Sequence, residues 1–147
     1  MSTVRSSIAI AAPPRAVWDV VMDPLRLGEW VTIHRELRGV SPGPPGEGST
    51  MEQVLHLRGA DVRVHWLLVE CRAPLYARWQ GRGPARTRAR IEYVLSATED
   101  GTRFDYHNEF DAPFGAVGAF ASRHVVGHMA QREADRSLNA LRALLES

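Results

Sequence analysis

The chain contains no lysine, and all 18 of its basic residues are arginine. Schiff-base chemistry on a lysine is therefore excluded. A single cysteine, Cys71, can neither close an internal disulfide nor build a cysteine-rich metal site, and a buried structural thiol is the expected role. Neither sign of charge dominates: 18 basic residues stand against 17 acidic ones, and a net charge of +1 leaves no electrostatic footprint for a nucleic acid. No apolar run approaches the length of a bilayer span, and Met1 to Ala12 lacks the apolar stretch of a signal peptide. The expectation is a cytoplasmic protein with no membrane insertion and no cofactor.

At 147 residues, 44% of them hydrophobic, the chain suits one domain spanning 1–147, with enough buried surface for a core that contains a cavity. Residues 4–11 alternate, with Val4, Ile8 and Ile10 apolar, as a half-buried strand does. Ala12-Pro13-Pro14 ends that strand. Val17, Trp18, Val20 and Val21 then follow at helical spacing, and Asp23-Pro24 separates them from a second short helix over 25–30. Five strands follow at 33–40, 50–57, 62–70, around Ala77 and Trp79, and 86–97, and a sixth at 102–111 pairs with the last of these. From 114 to 146 the period becomes helical, with Gly115, Gly118 and Gly127 in the first half and Leu138, Leu141, Leu144 and Leu145 in the second. Interior glycines cost a helix about 1 kcal/mol each, so the small side chains point to a gap on the side they face.

Two registers are open to the last hairpin. A four-residue connection over Thr98 to Gly101 sets Arg90 against Glu109, Arg88 against Asp111 and Glu92 against His107, whereas a tight Asp100-Gly101 turn sets Glu92 against Glu109. Turn chemistry prefers the second and charge the first; charge is taken as decisive, because like charges directly opposite each other are unfavourable. Arg86, Arg88 and Arg90 then form a solvated outer face. Side-chain parity is the same in both registers. It sends Ala89, Ile91, Tyr93 and Leu95 inward from one strand and Phe104, Tyr106, Asn108 and Phe110 from the other, with Gln53, Trp66 and Trp79 added from their own strands. Two amides and two phenols are too polar for a dry core unless a cavity with water or ligand receives them. Winding the final helix at about 3.6 residues per turn puts Phe120, Gly127, Ala134, Leu138, Leu141 and Leu145 on one stripe, with His124 at its edge and His128 on the flank.

The order of elements, the opening Ala11-Ala12-Pro13-Pro14-Arg15-Ala16-Val17-Trp18-Asp19-Val20-Val21 with Asp23-Pro24 and Trp30, the segment Trp79-Gln80-Gly81-Arg82-Gly83-Pro84 and the closing Ser137-Leu138-Asn139-Ala140-Leu141 resemble the START-like, or helix-grip, superfamily. Within it they resemble the polyketide cyclase/dehydrase and lipid-transport-like branch. The resemblance implies an α+β helix-grip fold: a curved seven-stranded antiparallel sheet wrapped around a long C-terminal helix, with two short helices after the first strand. It further implies a cavity for a lipid, polyketide or similar aromatic molecule. No invariant catalytic motif comes with it.

The candidate ligand-binding residues are Trp30 at the mouth, the wall residues Trp66, Trp79, Tyr93, Tyr106, Phe110 and Phe120, and the orienting polar residues Asn108 and His124. His34 is a mouth residue at best, since its parity relative to Leu37 points it outward. Tyr106, Asn108 and His124 are the candidates for acid–base catalysis if the protein is a cyclase or dehydratase. His124 and His128 have a spacing that suits two metal ligands, but no glutamate lies between them, and no metal is expected. A third reading is an interaction module: Leu67 and Val69 on the outer face would then serve a homodimer.

Overall fold

The computed structural model describes residues 1–57, 59–111 and 119–147, with the side chains of 119–128 outside the description. Among the described residues there are seven strands: β1 (Ser2–Ile10), β2 (His34–Val40), β3 (Thr50–Leu57), β4 (Ala60–Arg72), β5 (Tyr76–Arg82), β6 (Arg88–Thr98) and β7 (Gly101–Phe110). Helices α1 (Pro14–Val21) and α2 (Leu27–Trp30) follow β1, and α3 (Ala119–Glu146) closes the chain. All pairings are antiparallel and the strand order is β1-β7-β6-β5-β4-β3-β2, an open sheet whose edges are β1 and β2.

Proline starts α1, where a missing N–H costs nothing, and the Pro13 carbonyl accepts from Ala16 N and Val17 N at 2.9 and 3.2 Å. Its buried stripe of Val17, Trp18, Val20 and Val21 packs into the core. Asp23 ends this segment by accepting from Leu25 N at 3.0 Å, which starts the short turn into α2. Helix α3 is tied to edge strand β1 by Gln131 Nε2 donating to Arg5 O (2.9 Å) and Ser6 Oγ donating to Asp135 Oδ1 (2.7 Å). Its buried Ala134, Leu138 and Leu141 face the sheet, where they meet a core built around Phe104, Leu68 and Ile10.

The β6–β7 register is the one that charge favours: Arg90 lies opposite Glu109 and Glu92 opposite His107. The connection is nevertheless short, because Thr98 pairs with Gly101 and only Glu99 and Asp100 lie between them. Gly101 makes this possible, since a Cβ there would run into the carbonyl oxygen of Ile10 and stand 2.8 Å from Ala12 N. Glu92 is the hub of the outer face: Tyr76 O–H donates to it at 2.7 Å, and Arg90 and His107 pair with it at 3.4 and 3.6 Å. That hydrogen bond, with the cations behind it, pulls its carboxyl below the ordinary range.

The arginine run departs from expectation in two places. Arg86 is not a strand residue; it occupies the turn before β6 in a left-handed conformation (φ 61°), as does Ala85 (φ 55°). Arg82 lies directly opposite Arg88, so at the end of this pair like charges do face each other, both exposed to water. On β4, Leu67 is 39% exposed, whereas Val69 sits at a bulge between Leu68 and Glu70.

Candidate functional site

The inward positions of β3 to β7, together with the inner sides of α2 and α3, enclose a cavity of about 640 Å³. Strand parity supplies most of the wall. Trp66, Trp79, Tyr93, Tyr106, Asn108 and Phe110 all line it, and so does Trp30 from α2. Phe120, His124 and His128 fall on the part of α3 whose side chains lie outside the description. Trp30 is not at the mouth: only 2% exposed, it stands edge-on to Tyr93 and Phe104, with ring centroids 6.1 and 6.3 Å apart. Tyr93 continues the aromatic cluster to Tyr106 at 6.2 Å.

Two polar chains cross this wall. In the first, Trp66 Nε1 donates to Gln53 Oε1 at 2.9 Å, and Gln53 Nε2 lies 2.9 Å from His34 Nδ1. An indole nitrogen can only donate, so the Gln53 oxygen is committed and its amide hydrogens must point at the histidine. His34 Nδ1 therefore accepts, and the ring is neutral with its proton on Nε2. Burial favours the same state by pushing the imidazole pKa down. The parity assigned to His34 from sequence fails because β2 carries a bulge between His34 and Glu36; the extra residue turns both His34 and Leu37 to the inner face, opposite Leu55 and Gln53.

In the second chain Asn108 Nδ2 donates to Tyr106 Oη at 3.1 Å. The amide oxygen, Asn108 Oδ1, is buried and has no partner among the described residues, and the same is true of Trp30 Nε1. Both phenols are held well above their ordinary range: burial is the main cause for each, and the Glu133 carboxylate contributes to both. Tyr93 and Tyr106 are therefore neutral donors.

Glu133 is the site residue that sequence reasoning missed. It lines the cavity from α3, and its Oε1 accepts from Thr32 Oγ1 (2.9 Å) and Ser137 Oγ (2.6 Å), which fastens the segment after α2 to the last helix. Thr32 N also donates to Ser137 Oγ at 3.1 Å. The signal was available in the helix winding, since Glu133 precedes inward Ala134 and stands four residues before Ser137. Arg132 and Arg136 also border the cavity, from the exposed flank of α3.

A family model described as polyketide cyclase / dehydrase and lipid transport matches residues 1–146. An uncharacterized protein of Mycobacterium tuberculosis is 30% identical over 129 residues, covering 86% of this chain and 90% of its own. A second protein of that organism, described as a toxin, is 27% identical over 120 residues, 80% of this chain and 83% of its own. A conserved protein of Geobacillus kaustophilus has the same fold, with a TM-score of 0.79 at 16% identity over 98% of this chain and 95% of its own. The chain belongs to the polyketide cyclase/dehydrase and lipid transport family and has its helix-grip fold.

Proposed function

We propose that this family member binds a small, mostly apolar molecule in the cavity between sheet and α3, held by Trp30, Trp66, Trp79, Tyr93, Tyr106, Phe110 and Asn108. One observation carries the reading: in an aromatic-walled cavity of about 640 Å³, the buried Trp30 Nε1 and Asn108 Oδ1 have no partner among the described residues. Leaving such an atom unsatisfied costs about 1–3 kcal/mol, and a ligand that completes the bond recovers that energy. The volume lies within the roughly 300–1,000 Å³ of sites that enclose small molecules. Three of the four tryptophans line the cavity, so the test is direct. Apolar probes quench tryptophan emission, native mass spectrometry detects a bound mass, and Trp30→Phe weakens both. An unquenched protein of bare mass refutes the reading.

A second reading, cyclisation or dehydration of a polyketide-like substrate, draws support from the family description and from the neutral Tyr106 phenol paired with Asn108. A phenol so placed donates to a substrate carbonyl. Tyr106→Phe separates the two readings, since loss of turnover with binding retained belongs to the enzyme alone. Self-association through Leu67 has less behind it: the cross-strand neighbours of Leu67 are the polar Thr50 and Gln80.

A further inference from the structure

Two acceptors on the cavity wall have no hydrogen-bond donor among the described residues. Glu133 uses Oε1 for Thr32 and Ser137, while its Oε2 takes no hydrogen bond and no described arginine or histidine pairs with it. Asn108 Oδ1 is a buried acceptor that lacks a donor. Tyr93 and Tyr106 line the same cavity, close enough to Glu133 that its charge is felt by both phenols. The two hydroxyls hold the carboxylate in place.

We propose that this end of the cavity is a seat for a protonated amine, so that the ligand is an apolar molecule carrying an ammonium group. The inference rests on the reading of the cavity as a ligand site and narrows the class of ligand. An ammonium has several N–H donors and no acceptor, so it suits a carboxylate oxygen such as Glu133 Oε2 and an amide oxygen such as Asn108 Oδ1. A neutral hydroxyl offers one donor and leaves the carboxylate unpaired. Arg132 and Arg136 do not reverse this preference. Both are exposed at the rim, where water and salt screen them, whereas Glu133 is half-buried inside. Arg88 and Asp111 also border the cavity, next to Ala89 and Phe110, and are joined through Arg88 N donating to Asp111 Oδ2 at 3.0 Å.

Three cage compounds of nearly equal size test the seat by titration calorimetry at neutral pH: 1-adamantylmethylamine, 1-adamantylmethanol and 1-adamantanecarboxylate. The amine is expected to bind roughly tenfold tighter than the alcohol, and the carboxylate most weakly. In Glu133→Gln the amide oxygen still accepts from Thr32 and Ser137, so the helix stays tied. The advantage of the amine over the alcohol then shrinks to within about twofold while the affinity for the alcohol holds. An alcohol or carboxylate that equals the amine on the wild-type protein overturns the amine seat and leaves the cavity reading intact. An amine preference that persists in a folded Glu133→Gln also overturns it. If none of the three binds, both readings fail. The wild-type order alone decides the matter if the variant does not fold.

Discussion

Replacing Asn108 by leucine should make the empty protein more stable and the binding site worse. The side chain is of similar size, and it removes a buried carbonyl oxygen that has no partner among the described residues. Deleting that unsatisfied acceptor returns about 1–3 kcal/mol. Against this stands the lost bond from Asn108 Nδ2 to Tyr106 Oη, at 3.1 Å a neutral contact. Bonds of that kind contribute roughly 0.5–1.5 kcal/mol, and the Tyr106 hydroxyl keeps its freedom to donate into the cavity. The new methyl groups lie opposite Ile91 on β6 and Val4 on β1, both apolar neighbours. The net expectation is a gain of about 0–2 kcal/mol, and for a chain of this size each kcal/mol moves Tm by roughly 2–4 °C.

Urea unfolding followed by tryptophan emission measures the change, provided that the denaturant dependence matches that of the wild type. Binding of a hydrogen-bond-donating probe should weaken roughly tenfold in the same variant. A loss of more than about 1 kcal/mol would refute the reasoning, because it would mean that the amide oxygen is satisfied in the free protein and holds no capacity in reserve for a ligand.

Two further outcomes follow from the wall. A methyl group on Gly81 would stand 2.6 Å from Trp66 Cζ3, so Gly81→Ala must displace the indole and break its 2.9 Å bond to Gln53. A loss of about 1–3 kcal/mol and an altered near-ultraviolet dichroism spectrum are expected, and an unchanged spectrum refutes the contact. His34 makes stability fall with acid. Its pKa is depressed by burial, so the unfolded chain binds more protons than the folded one once pH drops below the unfolded value of about 6.5. The contribution is complete above that pH and declines as pH falls from there toward the depressed folded value. His34→Gln, which keeps an acceptor for Gln53, should flatten the fall between pH 7.5 and 5 in urea midpoints; an unchanged slope removes His34 from the account.

How much of the site was legible in the sequence depends on how far each residue's position is determined by its own strand. Tyr93, Tyr106, Asn108 and Phe110 were placed by alternation alone, because β6 and β7 run without a bulge and either turn preserves parity. Gln53 and Trp66 were legible as inward polar groups, yet their pairing was not, since it depends on the β3–β4 register. His34 was misread because one inserted residue in β2 reverses the alternation, and nothing in His34-Arg35-Glu36 announces a bulge. The depth of Trp30 is set by how α2 seats against Tyr93 and Phe104, a tertiary matter that no local pattern encodes. Glu133 was overlooked for a related reason. A charged residue beside an apolar stripe reads as solvent-facing until its hydroxyl partners, one of them Thr32 about a hundred residues away, are known.

The fold can hold unsatisfied groups because the same elements are dense at one end and hollow at the other. Toward their turn, β6 and β7 carry Leu95 and Phe104, which are 2% and 0% exposed, and Leu138 and Leu141 of α3 are packed as tightly. Toward the opposite end the inward residues are Ala89, Asn108 and Phe110, and α3 turns Ala130 and Ala134 to the cavity. Burying a large aliphatic or aromatic side chain contributes about 1.5–3 kcal/mol, so a handful of residues at the dense end outweighs the roughly 1–3 kcal/mol that each orphaned atom costs. Substitutions should divide along that line. Changes at Leu141 or Phe104 act on folding alone, whereas changes at Asn108, Trp30 or Glu133 also act on what the cavity accepts. On the proposed reading, the polar groups that look like defects in the free protein are the ones by which a ligand is recognised.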